Sequence, residues 1–326
     1  MDKLKKVGLT ALGTALVSTS AISADVAVGG GATLTFTGGD KGTEGNGWTF
    51  LDSLTFRASA DLDNGWTVST AQNLGKGSIN NSNMKVNMGD MGTLEFHTAG
   101  GTSVPGSWDD MMPAANEESW NGLTGDTAGV GPLSAKGAVG GMFRYSINVM
   151  DGIDLYASYA PSSGATAVES SSSYGVQYTG VEGLTVGYAN GDNNVKTAVT
   201  NGLATASAAG AEIENTSLFV KYAFDSFTIG MQDNESDSGT ANADFDYRGY
   251  GISYAVTEDM SISYGQGTAD FELAGSSDQE TTAVGVSYTS GGITVSGSMH
   301  DGENLGGSAA TTADKQDYEV NISFAF

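Results

Sequence analysis

From about residue 26 to the last position, apolar side chains return at every second place, and no long stripe recurs every third or fourth. The stretch 218–224 carries Leu218, Val220, Tyr222 and Phe224 on one parity, and residues 250–256 carry Tyr250, Ile252, Tyr254 and Val256. The chain closes the same way, with Tyr318, Val320, Ile322, Phe324 and Phe326 separated by Glu319, Asn321, Ser323 and Ala325. Alternation over eight to ten residues specifies a β-strand whose two faces meet different surroundings. The strands are joined by two kinds of connection. Short turns rich in Gly, Asp and Asn lie near 61–65, 89–92, 151–152, 182–183, 225–226, 257–259 and 290–292, as tight hairpins require. Longer polar stretches lie near 37–47, 75–80, 99–138, 163–170, 191–211, 235–243, 268–277 and 302–314. Seven short and eight long connections, taken alternately, give sixteen strands with short turns on one rim and long loops on the other.

The second face of each strand is polar: Thr228 and Gly230, Thr294 and Ser296, Gly175 and Gln177. A soluble sandwich would turn the apolar face inward, against a second sheet. Sixteen strands in one cylinder enclose too much space to be filled by side chains, so the polar face lines water and the apolar face meets lipid. Closure also pairs every backbone N–H and C=O, which hydrocarbon cannot do. The expected fold is all-β: a 16-stranded antiparallel transmembrane β-barrel with short periplasmic turns and long extracellular loops. Its last strand, 318–326, must pair with its first, about 26–36. The sandwich, a secreted β-helix and an adhesin are the competing architectures.

Residues 1–24 set Lys3, Lys5 and Lys6 ahead of an apolar run ending near Val17, then small residues to Ala24. This is the pattern of a secretory signal peptide, and the run is shorter than the roughly 20 residues of a spanning helix. The mature domain is expected at 25–326. Losing three lysines and one aspartate with the leader takes the formal charge from −25 to about −27. Such a field repels nucleic acid and concentrates cations. With no cysteine, thiol chemistry and disulfides are excluded.

One connection, 99–138, is too long and too rich in Trp, Met and Pro for an idle loop. A sixteen-strand array, a terminal Phe326 and a long acidic loop after the fifth strand resemble the Gram-negative general porins, in their alphaproteobacterial (Rhodobacter-type) form. The resemblance covers the whole mature chain by architecture more than by motif. It implies that the long loop folds into the barrel and narrows the channel, its carboxylates facing basic groups on the opposite wall. It also implies a homotrimer, in outer-membrane lipid and lipopolysaccharide. The alternating aromatics ending in Phe326 resemble the signal read by the barrel-assembly machinery.

On the acidic side the loop offers Asp109, Asp110, Glu117, Glu118 and Asp126. For the basic wall, Arg57, Lys85, Arg144 and Lys221 each sit between lipid-parity neighbours and therefore point into the lumen; a basic residue on the lipid face at mid-bilayer costs ~2–4 kcal/mol. Arg248 has the opposite parity and receives no role. The spacing of Asp109, Asp110, Glu117 and Glu118 also admits Ca²⁺, a hard cation that takes oxygen ligands, although no EF-hand pattern is present. His97 and His300 have lumenal parity but no metal-ligand spacing; they read as wall residues. No nucleophile elbow or phosphate loop occurs, so no catalysis is expected. The expected function is passive diffusion of ions and small hydrophilic solutes, with cation preference. A substrate-specific channel, the alternative, would need a ladder of lumenal aromatics, for which only Tyr156 and Phe219 stand out.

Overall fold

A computed structural model describes residues 25–40, 46–123, 130–133, 140–162, 168–195 and 211–326. The expected signal peptide and Asp126 lie outside the described residues, as do parts of several long loops. Sixteen strands follow in order: β1 (Asp25–Gly39), β2 (Trp48–Asp61), β3 (Thr67–Gly75), β4 (Ser78–Asn87), β5 (Thr93–Ala99), β6 (Met142–Met150), β7 (Ile153–Ala160) and β8 (Val168–Tyr178). The second half comprises β9 (Leu184–Val195), β10 (Glu212–Phe224), β11 (Phe227–Asp237), β12 (Phe245–Ala255), β13 (Met260–Phe271), β14 (Gln279–Ser290), β15 (Ile293–Glu303) and β16 (Lys315–Ala325). Each pairs antiparallel with its sequence neighbours, and β1 pairs with β16, so the sheet is a closed barrel.

Closure uses the stretch singled out at the C-terminus. Gly31 lies opposite Ala325 and Gly39 opposite Asp317. Beyond the last assigned residue, Gly30 and Phe326 exchange two backbone bonds of 2.8 and 2.9 Å. No ladder edge is left there for lipid to meet, which is the condition for a spanning sheet.

The barrel is inside out relative to a soluble fold. Tyr222, Ile252, Ile262, Val286, Val320 and Ile322 all project from the outer wall and are exposed. Their alternates, such as Ser217, Gln232 and Thr281, are buried on the lumenal side. Aromatic pairs occupy strand ends: Phe36 with Trp48, and Phe227 with Tyr254, as expected of rings at a membrane interface.

One connection departs from the expected pattern. The polar stretch 75–80 reads as a long loop, but β3 and β4 are joined by Lys76 and Gly77 alone. Both have positive φ, 49° and 77°, the combination of a type I′ hairpin turn whose twist matches the flanking strands. Ser78 and Asn80, taken as loop residues for their polarity, belong to β4. Their side chains line a wet surface, so polarity carries no turn signal there.

Candidate functional site

The segment between β5 and β6 does not stand above the barrel. Its described residues lie against the inner wall, held by bonds to lumen-facing side chains of successive strands. Val104 N–H donates to Ser173 on β8 (2.9 Å), and Ser217 on β10 and Gln232 on β11 both donate to the Trp108 carbonyl (3.1 and 2.7 Å). Met111 N–H donates to Gln232, Ala115 N–H to Ser263 on β13, and Asn116 Nδ2 to Ser298 on β15. The return run is fixed where Gln279 on β14 both accepts from Val130 N–H and donates to its carbonyl. These strands supply amide and hydroxyl groups at inward positions, and the loop backbone uses them as a soluble loop uses water.

Close seating needs space in the wall. The Trp108 ring is buried between Tyr156 and Phe219, each 5.4 Å away edge to face. A Cβ on Gly175 would collide with Val104 and Trp108, and one on Gly251 with Pro113. Glycine is needed at these two positions for backbone approach. A second seat packs Phe245, Tyr247 and Phe271 around Val130, with Trp120 against them. These three aromatics point inward too, so the reading that found only Tyr156 and Phe219 was incomplete. They hold the loop rather than form an exposed ladder.

The loop carboxylates separate into two environments. Asp109 and Glu118 are buried, whereas Asp110 is exposed and Glu117 half-buried. Glu118 accepts from Met112 N–H at 2.5 Å and from Trp120 Nε1–H at 2.9 Å. Burial, then the nearby Asp110 carboxylate, pushes its pKa up to about 9 from an ordinary 4.5, so it holds a proton at neutral pH. The docked loop then keeps a proton that a released loop would lose. Docking is fully supported below about pH 4.5 and weakens as pH rises toward about 9. Open-channel noise from loop release should therefore rise across that interval. In E118Q, which cannot ionise, noise should stay flat; an equally steep rise in E118Q would refute this role for Glu118.

The four basic residues do not form one cluster. Lys85 and Arg144 flank Glu95 in register across β4, β5 and β6. Lys85 forms an ion pair with Glu95, which also bonds His97 Nε2 at 3.1 Å. Arg144 Nη2 donates to Ser107 of the loop at 3.3 Å. Arg57 lies on the same side of the barrel, opposite Ala27 and Ala71. Lys221 is elsewhere, on β10, where it shares a cavity of about 290 Å³ with Asp110. Arg248 points outward and pairs with Asp233 through Nε (2.8 Å) and Nη2 (2.7 Å). His300 is buried beneath the loop and bonds Ser298 at 2.8 Å.

Toward Ca²⁺ the loop offers Asp109, Asp110, Glu117 and Glu118 in the two environments just described. Both Glu118 oxygens accept from the loop itself, and among the described residues no three acidic, His or Cys side chains are grouped to hold a metal ion. A hard cation of that kind takes six to eight oxygens.

A family model described as Gram-negative porin matches residues 8–326. No curated sequence matches the chain. Among solved structures, it is similar to in-vitro folded OmpT of Vibrio cholerae in its trimer form (TM-score 0.69, 15% identity, covering 93% of this chain and 99% of that one). It is also similar to an anion-selective porin from Comamonas acidovorans (0.67, 14%, covering 93% and 100%). A mutant of Rh. blastica porin matches as well (0.59, 15%, covering 93% and 100%). At these identities the structural likeness speaks for the fold alone.

Proposed function

Since the chain belongs to the Gram-negative porin family, we propose that this outer-membrane channel passes ions and small hydrophilic solutes by passive diffusion, with preference for cations. The observation that carries the reading is the loop pinned to one side of the lumen by side chains of β8 to β15. It narrows the barrel, and it brings Asp110 and Glu117 to the water. Lys85, by contrast, is countered by Glu95. A constriction with exposed carboxylates and part-neutralised cations favours positive solutes. A specific channel with a greasy track is less well supported, because Phe219, Phe245, Tyr247 and Phe271 lie under the loop.

The proposal includes a homotrimer. Asp52 and Gln72 are exposed on the outer parity of β2 and β3, beside Leu54, Phe56 and Ala58. The outer wall of β10 to β14 shows Val220, Ile229, Ile252 and Val286 instead. A carboxylate facing lipid is costly, which favours a second copy against the early strands. OmpT of Vibrio cholerae, similar in fold, has been solved as a trimer. The Rhodobacter-type placement, removal of residues 1–24 during export, and recognition of Phe326 by the assembly machinery belong to the same proposal, as do neighbouring lipid and lipopolysaccharide.

Planar-bilayer recording of the purified mature protein tests it. We expect large conductance steps, in groups of three, and a reversal potential under a KCl gradient on the cation side. Folded, inserted protein that gives no steps would refute the channel, and an anion-side reversal would refute the charge filter.

A further inference from the structure

A lumenal crevice next to the loop has a lining unlike the rest of the channel. It encloses about 660 Å³ between loop residues Asn116 and Glu117 and the inner wall of β15, β16, β1 and β2. That volume is within the range of about 300–1,000 Å³ typical of small-molecule sites. Hydroxyls of Thr33, Thr35, Thr49 and Ser323 line it, with carboxylates of Glu117 and Glu319 on two sides. Among its described lining residues none is basic or aromatic.

The geometry is built rather than incidental. Asn321 donates to Glu319 at 2.5 Å and to Asn116 at 3.3 Å, while accepting from Thr35 at 2.6 Å. Ser296 donates to Asn116 Oδ1 at 2.7 Å. The loop tip is thereby tied to the wall that carries Glu319, and the two carboxylates border one cavity. Two carboxylates are too few for a hard metal ion. They suit one ammonium group, and the surrounding hydroxyls suit a solute that is itself hydroxylated, since each can donate and accept.

We propose that this crevice is a transit site for small polyhydroxylated cations, with amino sugars as the chemical class. The inference rests on the diffusion-channel reading and names a solute class for it. Glu117 and Glu319 bind the ammonium in turn, and threonine and serine hydroxyls replace the water shed by the solute hydroxyls. Neither carboxylate is sealed from water, so the attraction is weak enough for release, as conduction demands.

The test uses the full mature protein in planar bilayers in KCl, with glucosamine hydrochloride as the probe and glucose as its neutral comparator. We expect concentration-dependent current interruptions with glucosamine and none with glucose. The interruptions should fade as KCl is raised from 0.1 to 1 M, because the Debye length shortens from about 10 to 3 Å. E117Q and E319Q should each weaken the block about three- to fivefold, the size of one half-exposed ion pair, and the double variant should lose it. Open-channel conductance in KCl confirms that the variants are folded. Equal behaviour of glucosamine and glucose in a conducting channel would overturn this inference alone. Undiminished block in the double variant would overturn the site. Absence of conductance in folded wild-type protein would overturn the channel reading beneath it.

Discussion

Removing residues 323–326 should abolish the folded barrel. In the intact chain Ser323, Phe324 and Ala325 face Thr33, Ala32 and Gly31, and Phe326 bonds Gly30 through both backbone groups. On the other side Ser323 and Phe324 face Thr294 and Ile293. Truncation therefore leaves β1 and β15 without a partner at their ends beside the Gly291–Gly292 turn, and the closing seam loses its last pairs. Each lost bond costs about 0.5–1.5 kcal/mol where water can substitute and several where only hydrocarbon is near. Summed over the seam, that is comparable with the roughly 5–15 kcal/mol of a typical fold. The expected result is no heat-modifiable band on electrophoresis and no conductance. A truncated chain that still migrates as a folded barrel would show that closure does not depend on this seam. F326S is the informative control. It keeps the backbone bonds, and the Phe326 ring is largely exposed beside Phe324, so folding in detergent should change little.

Trp108→Ala should release the loop. The indole is the largest side chain of its seat and fills a recess formed by Gly175, Tyr156 and Phe219. Removing a buried Trp costs about 3–5 kcal/mol, and every 1.4 kcal/mol is about tenfold in population. The docked fraction, relative to the released one, should fall by a factor on the order of a hundred or more. Bonds from Ser217 and Gln232 to the Trp108 carbonyl survive, because they use main chain, so the loop should flicker rather than vanish from the wall. In bilayers we expect a larger mean conductance, greater noise and faster passage of bulky solutes. A W108A channel with wild-type conductance and noise would mean that this seat does not hold the constriction.

The barrel itself was legible because period two is a property of the backbone. Leu218, Val220 and Tyr222 alternate because successive side chains leave opposite faces, whatever lies beyond them. The same parity assigned Lys85, Arg144 and Lys221 to the polar face. It failed at 75–80, because a strand lining water and a loop in water draw on the same polar residues. Gln232 and Gln279 went unremarked for a related reason: inward polarity is shared by every lumenal position. The signal that could have found the loop seats was the run of inward glycines, Gly175, Gly230, Gly249, Gly251, Gly265 and Gly285, opposite a loop rich in Trp and Pro.

What the sequence alone determined was the count and order of strands, the lipid-facing parity along most of them, and the need for Phe326 to meet the first strand. These follow from local periodicity and from the rule that hydrocarbon tolerates no open edge. Only the tertiary structure decided which loop carboxylates reach water. Asp109 and Glu118 share the sequence context of Asp110 and Glu117, yet they are buried. Which side of the loop faces the wall is set by where Trp108, Pro113 and Trp120 find room among wall residues far away in the sequence. That arrangement depends on packing across the lumen, and no local pattern encodes it.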